Sequence, residues 1–132
     1  MITLLSYHIS LRGGNGSGHI CEATVKFKIG NRQFFNVADG DGPVHALDSA
    51  IRGALVEERE ILRRLQTLSL TGYSANADAP FGTNAETDVS IKFSLGGESL
   101  VVQKRSKDSV EAGIQALVEG MQRALASGSE LI

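Results

Sequence analysis

The stretch ATVKFKIG, residues 23–30, alternates apolar and polar side chains and ends in a glycine. A period of two predicts a β-strand with one face buried and the other in water. The stretch VSIKFSLG, residues 89–96, repeats this pattern at an offset of 66 residues. Because a glycine followed by a small or polar residue is typical of hairpin turns, each stretch is predicted to be a strand leading into a hairpin.

The same gapless offset relates the two halves of the chain well beyond these strands. Identical residues keep one register, and similar residues fill the positions between them, which predicts an internal repeat. The identical pairs are Leu4 and Leu70, Tyr7 and Tyr73, Gly16 and Gly82, Lys26 and Lys92, Phe27 and Phe93, Gly30 and Gly96, Val44 and Val110, Ala46 and Ala112, and Ala50 and Ala116.

Two further strands are predicted in each half. The partner strands after the turns run over about Arg32–Ala38 and Glu98–Lys104. Upstream, the first half has an alternating run, and its counterpart covers about Thr67 to Ala77. The apolar members of the upstream run are Leu5, Tyr7, Ile9 and Leu11.

Each third strand is followed by an apolar stripe with helical spacing. The stripe of the first half is Val44, Leu47, Ile51, Ala54 and Leu55, and that of the second is Val110, Ile114, Leu117, Val118, Met121 and Leu125. The charged segment Glu57–Arg64 is predicted to be a solvated end of the first helix. Its apolar neighbours Ile61, Leu62 and Leu65 are predicted to pack where the chain turns back.

These elements predict an α+β fold of two pseudo-symmetric β-β-β-α units, each a three-stranded antiparallel sheet with one helix. Residues 1–132 form one domain by length, with repeat units of about 1–65 and 66–132. A three-stranded sheet with one helix hides its apolar face poorly. We therefore expect the units to pack on each other and a second copy of the chain to cover what remains.

Composition argues against several classes of function. The formal net charge is −2, without the basic excess of a nucleic-acid-binding protein, and no apolar run is long enough for a membrane span. Cys21 is the single cysteine, and the three histidines, His8, His19 and His45, have no metal-site spacing. We expect a cytoplasmic protein that is not an enzyme and has no cofactor and no metal site.

The starts of the two predicted helices differ. Pro43 suits the first helical position, which makes Gly42 the N-cap of the first helix. Asp108 is a strong N-cap for the second helix, and Glu111 completes a capping-box pattern. The first helix is thus predicted to leave its N–H groups open to an anion such as a carboxylate, with water or Asp41 as the alternative partner.

Three motifs resemble one family of regulatory domains. Gly40-Asp41-Gly42-Pro43-Val44-His45-Ala46-Leu47 resembles the Gly-Asn-Gly-Pro-Val-x-Ala-Leu signature in 2-isopropylmalate and citramalate synthases. The segment Gly82–Ala85 resembles the Gly-Thr-Asp-Ala segment of that family, and Ser106–Ala112 resembles the start of its last helix. The resemblance spans about Leu5 to Leu125.

The resemblance implies a non-catalytic domain that dimerises and binds the end-product amino acid of a pathway, leucine or isoleucine. It implies action on a synthase in cis or in trans, and the start at Met1 favours a stand-alone relative. Asp41, His45 and Ser109 depart from the usual residues, so a dimerisation module without effector binding is the alternative. The implied effector-binding residues are Gly40, Asp41, Gly42, Pro43, Val44, His45, Leu70, Tyr73, Ala77, Ala85 and Ser109.

Overall fold

The computed structural model of the chain describes residues 1–14, 17–77 and 86–130. The chain divides into two compact units, Met1–Arg63 and Arg64–Ile132, here called unit one and unit two. Unit one contains β1 (Ile2–Gly14), β2 (Ser17–Ile29), β3 (Arg32–Gly40) and α1 (Pro43–Ala54), and the boundary between the units falls within α2 (Arg59–Leu65). Unit two contains β4 (Leu68–Ala77), β5 (Thr87–Leu95), β6 (Glu98–Ser106) and α3 (Ser109–Glu130).

Each unit has a three-stranded antiparallel sheet with its second strand in the centre, in the orders β1-β2-β3 and β4-β5-β6. This confirms the predicted α+β class and the two β-β-β-α sets. The predicted hairpins are also confirmed, because Ile29 pairs with Arg32 and Leu95 with Glu98. Gly30 has φ 62°, in the left-handed region that glycine enters at little steric cost.

A β-bulge interrupts the first strand of each unit at repeat-related positions. In β1 the pairing shifts between Leu4 and Ser6, and in β4 it shifts between Leu70 and Gly72. One extra residue on the bulged strand reverses the face to which the following side chains point. The prediction that Leu5 shares a face with Tyr7 is therefore wrong, and Leu4 takes that place opposite the buried Phe27.

The helices pack their predicted apolar stripes on one face of each sheet. α1 packs against β2 and β3; its Leu47 and Ile51 are fully buried, as is Leu55 at its C-cap. α3 packs against β5 and β6 through residues that include Leu117 and Met121. The central strands supply the other half of each core with the predicted alternating residues, which are Ala23, Val25 and Phe27 in β2 and Val89, Ile91 and Phe93 in β5.

The segment after α1 differs from its prediction. α1 ends at Ala54, and the charged stretch that follows forms a separate helix, α2, and does not extend α1. Leu65 is fully buried, as predicted, whereas Ile61 and Leu62 are half-buried.

Because each helix lies over the second and third strands of its sheet, the first strands are less covered. Tyr7 on β1 is 38% exposed and Tyr73 on β4 is 50% exposed, although both face the helix side of their sheets. No helix in the described ranges is long and apolar enough to cross a membrane.

Candidate functional site

The start of α1 is built by a close approach between the end of β3 and the first helical turn. A Cβ atom on Gly40 would lie 2.4 Å from the backbone nitrogen of Ala46 and 2.9 Å from the carbonyl carbon of His45. These neighbours are backbone atoms, which have little freedom to move. Gly40 is therefore required by packing, and it fixes the loop that follows against the helix.

Gly42 has no such reason to be glycine. Its φ of −153° and ψ of 177° are extended values that any residue adopts, and a Cβ there would meet nothing within 4 Å. As predicted, it is the N-cap of α1, with Pro43 in the first helical turn and no side-chain cap hydrogen bond. The described residues offer no hydrogen-bond acceptor to the N–H groups of Val44 and His45. α1 thus begins with two adjacent donors at the positive end of its dipole.

The start of α3 is closed by side chains. Asp108 Oδ1 accepts hydrogen bonds from the Val110 nitrogen at 2.9 Å and the Glu111 nitrogen at 3.4 Å, which confirms the predicted cap. The second half of the predicted capping box is wrong. The Asp108 N–H donates to Ser106 Oγ, and the Glu111 carboxylate accepts from Gln115. Ser106, two residues before Asp108, thus takes the place that the capping box assigns to Glu111.

His45 bends back over the loop before α1. The backbone N–H of Asp41 donates to His45 Nδ1 at 3.0 Å, so a neutral His45 carries its ring proton on Nε2. The Asp41 carboxylate is fully exposed, and its Oδ2 lies 3.9 Å from the same nitrogen. From the sequence, His45 was predicted only to be an effector-binding residue that departs from the usual one. The signal for this contact was its place three residues after the N-cap, where capping-box side chains reach back.

Unit two contains the apolar residues Leu70, Tyr73 and Ala77, which the resemblance implied as effector-binding residues. The bulge at Thr71 places Leu70 opposite Phe93 and Tyr73 opposite Ile91, so both face the α3 side of the sheet despite their odd spacing. Leu70 is 42% exposed and Tyr73 is 50% exposed. They form an accessible apolar pair on an edge strand. Ala77 ends the strand opposite Thr87.

The remaining predicted residues occupy different kinds of position. The Val44 side chain belongs to the core of unit one, so only its backbone N–H is available to a ligand. Ser109 is the first residue of α3 and is half-buried. Ala85 lies outside the described residues.

Metal ligands and the single thiol are the remaining chemical groups of the described residues. Within residues 1–14, 17–77 and 86–130, no group of three or more His, Cys, Asp or Glu side chains is placed to hold a metal ion. Cys21 lies in the central strand β2 at 1% exposure, and burial raises the pKa of its thiol above the ordinary value of 9.0. A raised pKa lowers the thiolate fraction and with it the reactivity of the sulfur.

Residues 2–125 match the family described as the LeuA allosteric (dimerisation) domain. The chain is also similar to several curated synthases. It is 36% identical over 104 residues to an (R)-citramalate synthase of Synechocystis sp., covering 78% of this chain and 18% of that protein. It is 28% identical over 109 residues to a 2-isopropylmalate synthase of Methylorubrum populi, covering 83% of this chain and 19% of that protein.

Proposed function

Because this chain belongs to the LeuA allosteric (dimerisation) domain family, we propose that it is a non-catalytic domain that self-associates and binds a branched-chain amino acid. The observation that supports effector binding is the presence of a glycine, Gly42, at the N-cap of α1. Neither its backbone angles nor its neighbours require a glycine, and the missing side chain leaves the start of α1 open. We propose that the carboxylate of the effector binds there.

The donors at this helix start suit a carboxylate. Two adjacent N–H groups, those of Val44 and His45, match the two oxygens of one carboxylate, and the helix dipole favours negative charge. A hydrogen bond to a charged group contributes roughly 1.5–3 kcal/mol. The same anion has no comparable place at α3, because Asp108 already accepts the equivalent hydrogen bonds.

Asp41 is proposed as the partner of the effector's ammonium group. Its carboxylate is fully exposed, and its backbone N–H is already bonded to His45. An amino acid carries both charges within a few ångströms, so one ligand can use the helix start and a nearby carboxylate together. This arrangement selects for a zwitterion over a simple carboxylic acid.

The predicted residues of unit two, which are Leu70, Tyr73, Ala77, Ala85 and Ser109, stay a proposal for the effector's side chain. Leu70→Ala and Tyr73→Ala test it, and both are expected to weaken binding of leucine or isoleucine more than binding of alanine. Both residues are substantially exposed, so their removal leaves the core of the unit intact.

The chain spans about a fifth of the length of the curated synthases that it matches. We propose that it regulates such a synthase, in cis or in trans, and that the chain alone carries no acetyl-CoA-dependent condensation with 2-oxo acids. Turnover by the pure chain that a chelator abolishes would overturn the second statement.

A second candidate function is a dimerisation module without an effector. The specific observation in its favour is the bond between the Asp41 N–H and His45 Nδ1, because the loop supplies its own partner for one donor. The negative charge of Asp41 also opposes a carboxylate that approaches without an ammonium group.

Calorimetric titration separates the two candidates. Leucine, isoleucine and valine are titrated into the full chain, with leucinamide and 4-methylpentanoate as controls that lack the carboxylate and the ammonium group. We expect one amino acid to bind and both controls to bind about tenfold or more weakly, since each loses one charge-assisted contact. No binding of any amino acid at millimolar concentration favours the dimerisation module, whose self-association light scattering measures independently.

A further inference from the structure

A side-chain hydrogen bond connects β3 to α1 inside unit one. Asn36 is half-buried, lies opposite the fully buried Val25 of β2, and so faces the helix side of the sheet. Its amide Nδ2 donates to the carbonyl oxygen of Ala50 at 3.0 Å. A Cβ atom on Gly53 would lie 2.8 Å from the same Nδ2 atom. The glycine therefore leaves room for the amide against the helix.

Unit two has an apolar residue at the corresponding place. The offset of 66 residues puts Val102 of β6 at the position of Asn36 and Glu119 at that of Gly53. Val102 is 2% exposed and lies opposite the buried Ile91. An apolar side chain thus suits this position of the fold, and burying an amide in its place costs desolvation. Packing alone does not account for Asn36.

The units differ in the same sense at the starts of their helices. α1 begins at Gly42 without a side-chain cap, whereas Asp108 accepts the first N–H groups of α3. The hydrogen bond from sheet to helix therefore occurs in the unit whose helix start is open. The apolar equivalent occurs in the unit whose helix start is closed.

A hydrogen bond restrains movements that apolar packing permits. The contacts of Leu47 and Ile51 are non-directional, so they tolerate small rotations of α1 on the sheet. A hydrogen bond weakens steeply with a wrong distance or angle, and a buried polar residue can thereby fix how two elements align. Ala50 lies about 9 Å along the helix from Val44. Gly40 restrains the first turn of α1, and Asn36 restrains its later part.

We propose that Asn36 is a positioning residue for effector binding. It holds α1 in the rotation that directs the N–H groups of Val44 and His45 toward the effector's carboxylate, and it does not contact the effector itself. This inference rests on the proposed binding of an amino acid at the start of α1. The placement of the helix start is measured separately from binding, by the backbone amide signals of the effector-free chain.

Asn36→Val introduces the residue type of unit two and separates positioning from stability. The Tm should not fall, because valine favours strands and is less costly to bury than an amide. Binding of leucine or isoleucine should weaken about tenfold in titration calorimetry, as when one bond to the carboxylate is poorly made. In ¹⁵N-correlated NMR spectra without effector, the amide signals of Val44 and His45 should move.

Gly53→Ala tests the same bond from the helix side. The new Cβ atom should displace the amide of Asn36 and weaken binding by a similar factor. In the Asn36→Ala background no amide remains to be displaced, so adding Gly53→Ala should leave the affinity unchanged. Ile51→Val is the matched control in the same helix. It should lower the Tm but leave the affinity and the Val44 signal within the values of the unmodified chain.

The outcomes distinguish this role from the proposed function. Circular dichroism should show every variant folded. If Asn36→Val binds the effector as tightly as the unmodified chain, or if affinity falls with Tm in Ile51→Val as well, the positioning role is overturned and the effector site stands. Unmoved Val44 and His45 signals in Asn36→Val also overturn the role. An unmodified chain that binds no amino acid at millimolar concentration overturns the proposed function and this role together.

Discussion

Gly42→Asp should make the protein more stable and at the same time weaker in effector binding. The new carboxylate has open space, because no atom lies within 4 Å of a Cβ at this position. It would accept hydrogen bonds from Val44 and His45, as Asp108 does from the first turn of α3. Replacing glycine by a capping residue contributes a few tenths of a kcal/mol, and a negative charge at a helix start adds about 0.3–1 kcal/mol.

The expected gain in the free energy of unfolding is therefore about 0.5–1 kcal/mol, which raises the Tm by about 2–5 °C for a chain of this length. The carboxylate of the effector would then no longer find the N–H groups of Val44 and His45 free. Losing charge-assisted bonds of roughly 1.5–3 kcal/mol weakens binding about 10- to 150-fold. On the same preparation, differential scanning calorimetry should show the higher Tm and titration calorimetry should show the weaker effector binding.

Three control variants separate the causes. Gly42→Asn caps the helix without a charge and should lose most of the affinity, whereas Gly42→Ala leaves the donors free and should bind within about twofold of the unmodified chain, as no bond to a charge is lost. Asp108→Ala should lower the free energy of unfolding by about 1 kcal/mol with unchanged affinity. If Gly42→Asp binds as tightly as the unmodified chain, the carboxylate site is elsewhere; if it is less stable, the helix start is not open.

Three further predictions concern packing and pH. Gly40→Ala should destabilise by about 1–3 kcal/mol in urea denaturation, toward the upper end because its Cβ would collide with backbone; an unchanged midpoint would contradict the close approach. Gly120→Ala places a Cβ 2.7 Å from the Phe93 ring and should lower the free energy of unfolding, although alanine has the better helix propensity. In a double-mutant cycle, the same Gly120→Ala change should raise the free energy of unfolding when it is made in the Phe93→Leu background. A hydrogen bond from Lys104 lowers the pKa of Glu119 below its ordinary 4.5, so the ionised carboxylate stabilises the fold above pH 4.5 and this contribution is lost as the pH falls. Glu119→Gln should therefore lose less stability in acid than the unmodified chain. The same dependence of stability on pH in both proteins would argue against the ion pair.

Most of the fold could be predicted from one sequence because the same pattern of apolar and polar residues occurs in both halves of the chain. The alternation in residues 23–29 and 89–95 identified both central strands, and a constant offset extended the prediction to the helices. Three motifs also identified the family that residues 2–125 match. The first strands were predicted less well, since a bulge is a single inserted residue and leaves no composition signal. The repeat itself held a clue, because it paired Leu4, not Leu5, with Leu70.

The candidate site could be predicted only in part. Helix-start chemistry is local, so the cap at Asp108 and the open end at Gly42 followed from residue type and spacing. The bond from the Asp41 N–H to His45 depends on one rotamer, and the bond from the Asp108 N–H to Ser106 depends on the position of a side chain outside the capping-box pattern. The steric need for Gly40 depends on a contact between elements that no spacing rule describes.

The single thiol of the chain lies inside unit one, at 1% exposure in its central strand. A labelling reagent can reach Cys21 only when that sheet opens, so the rate of modification would report the opening of unit one while unit two contributes no signal. A ligand bound to the closed form slows such opening in proportion to its occupancy. The chain thus contains its own probe for local unfolding, by which an effector at the start of α1 could be detected and its dissociation constant obtained without any added label.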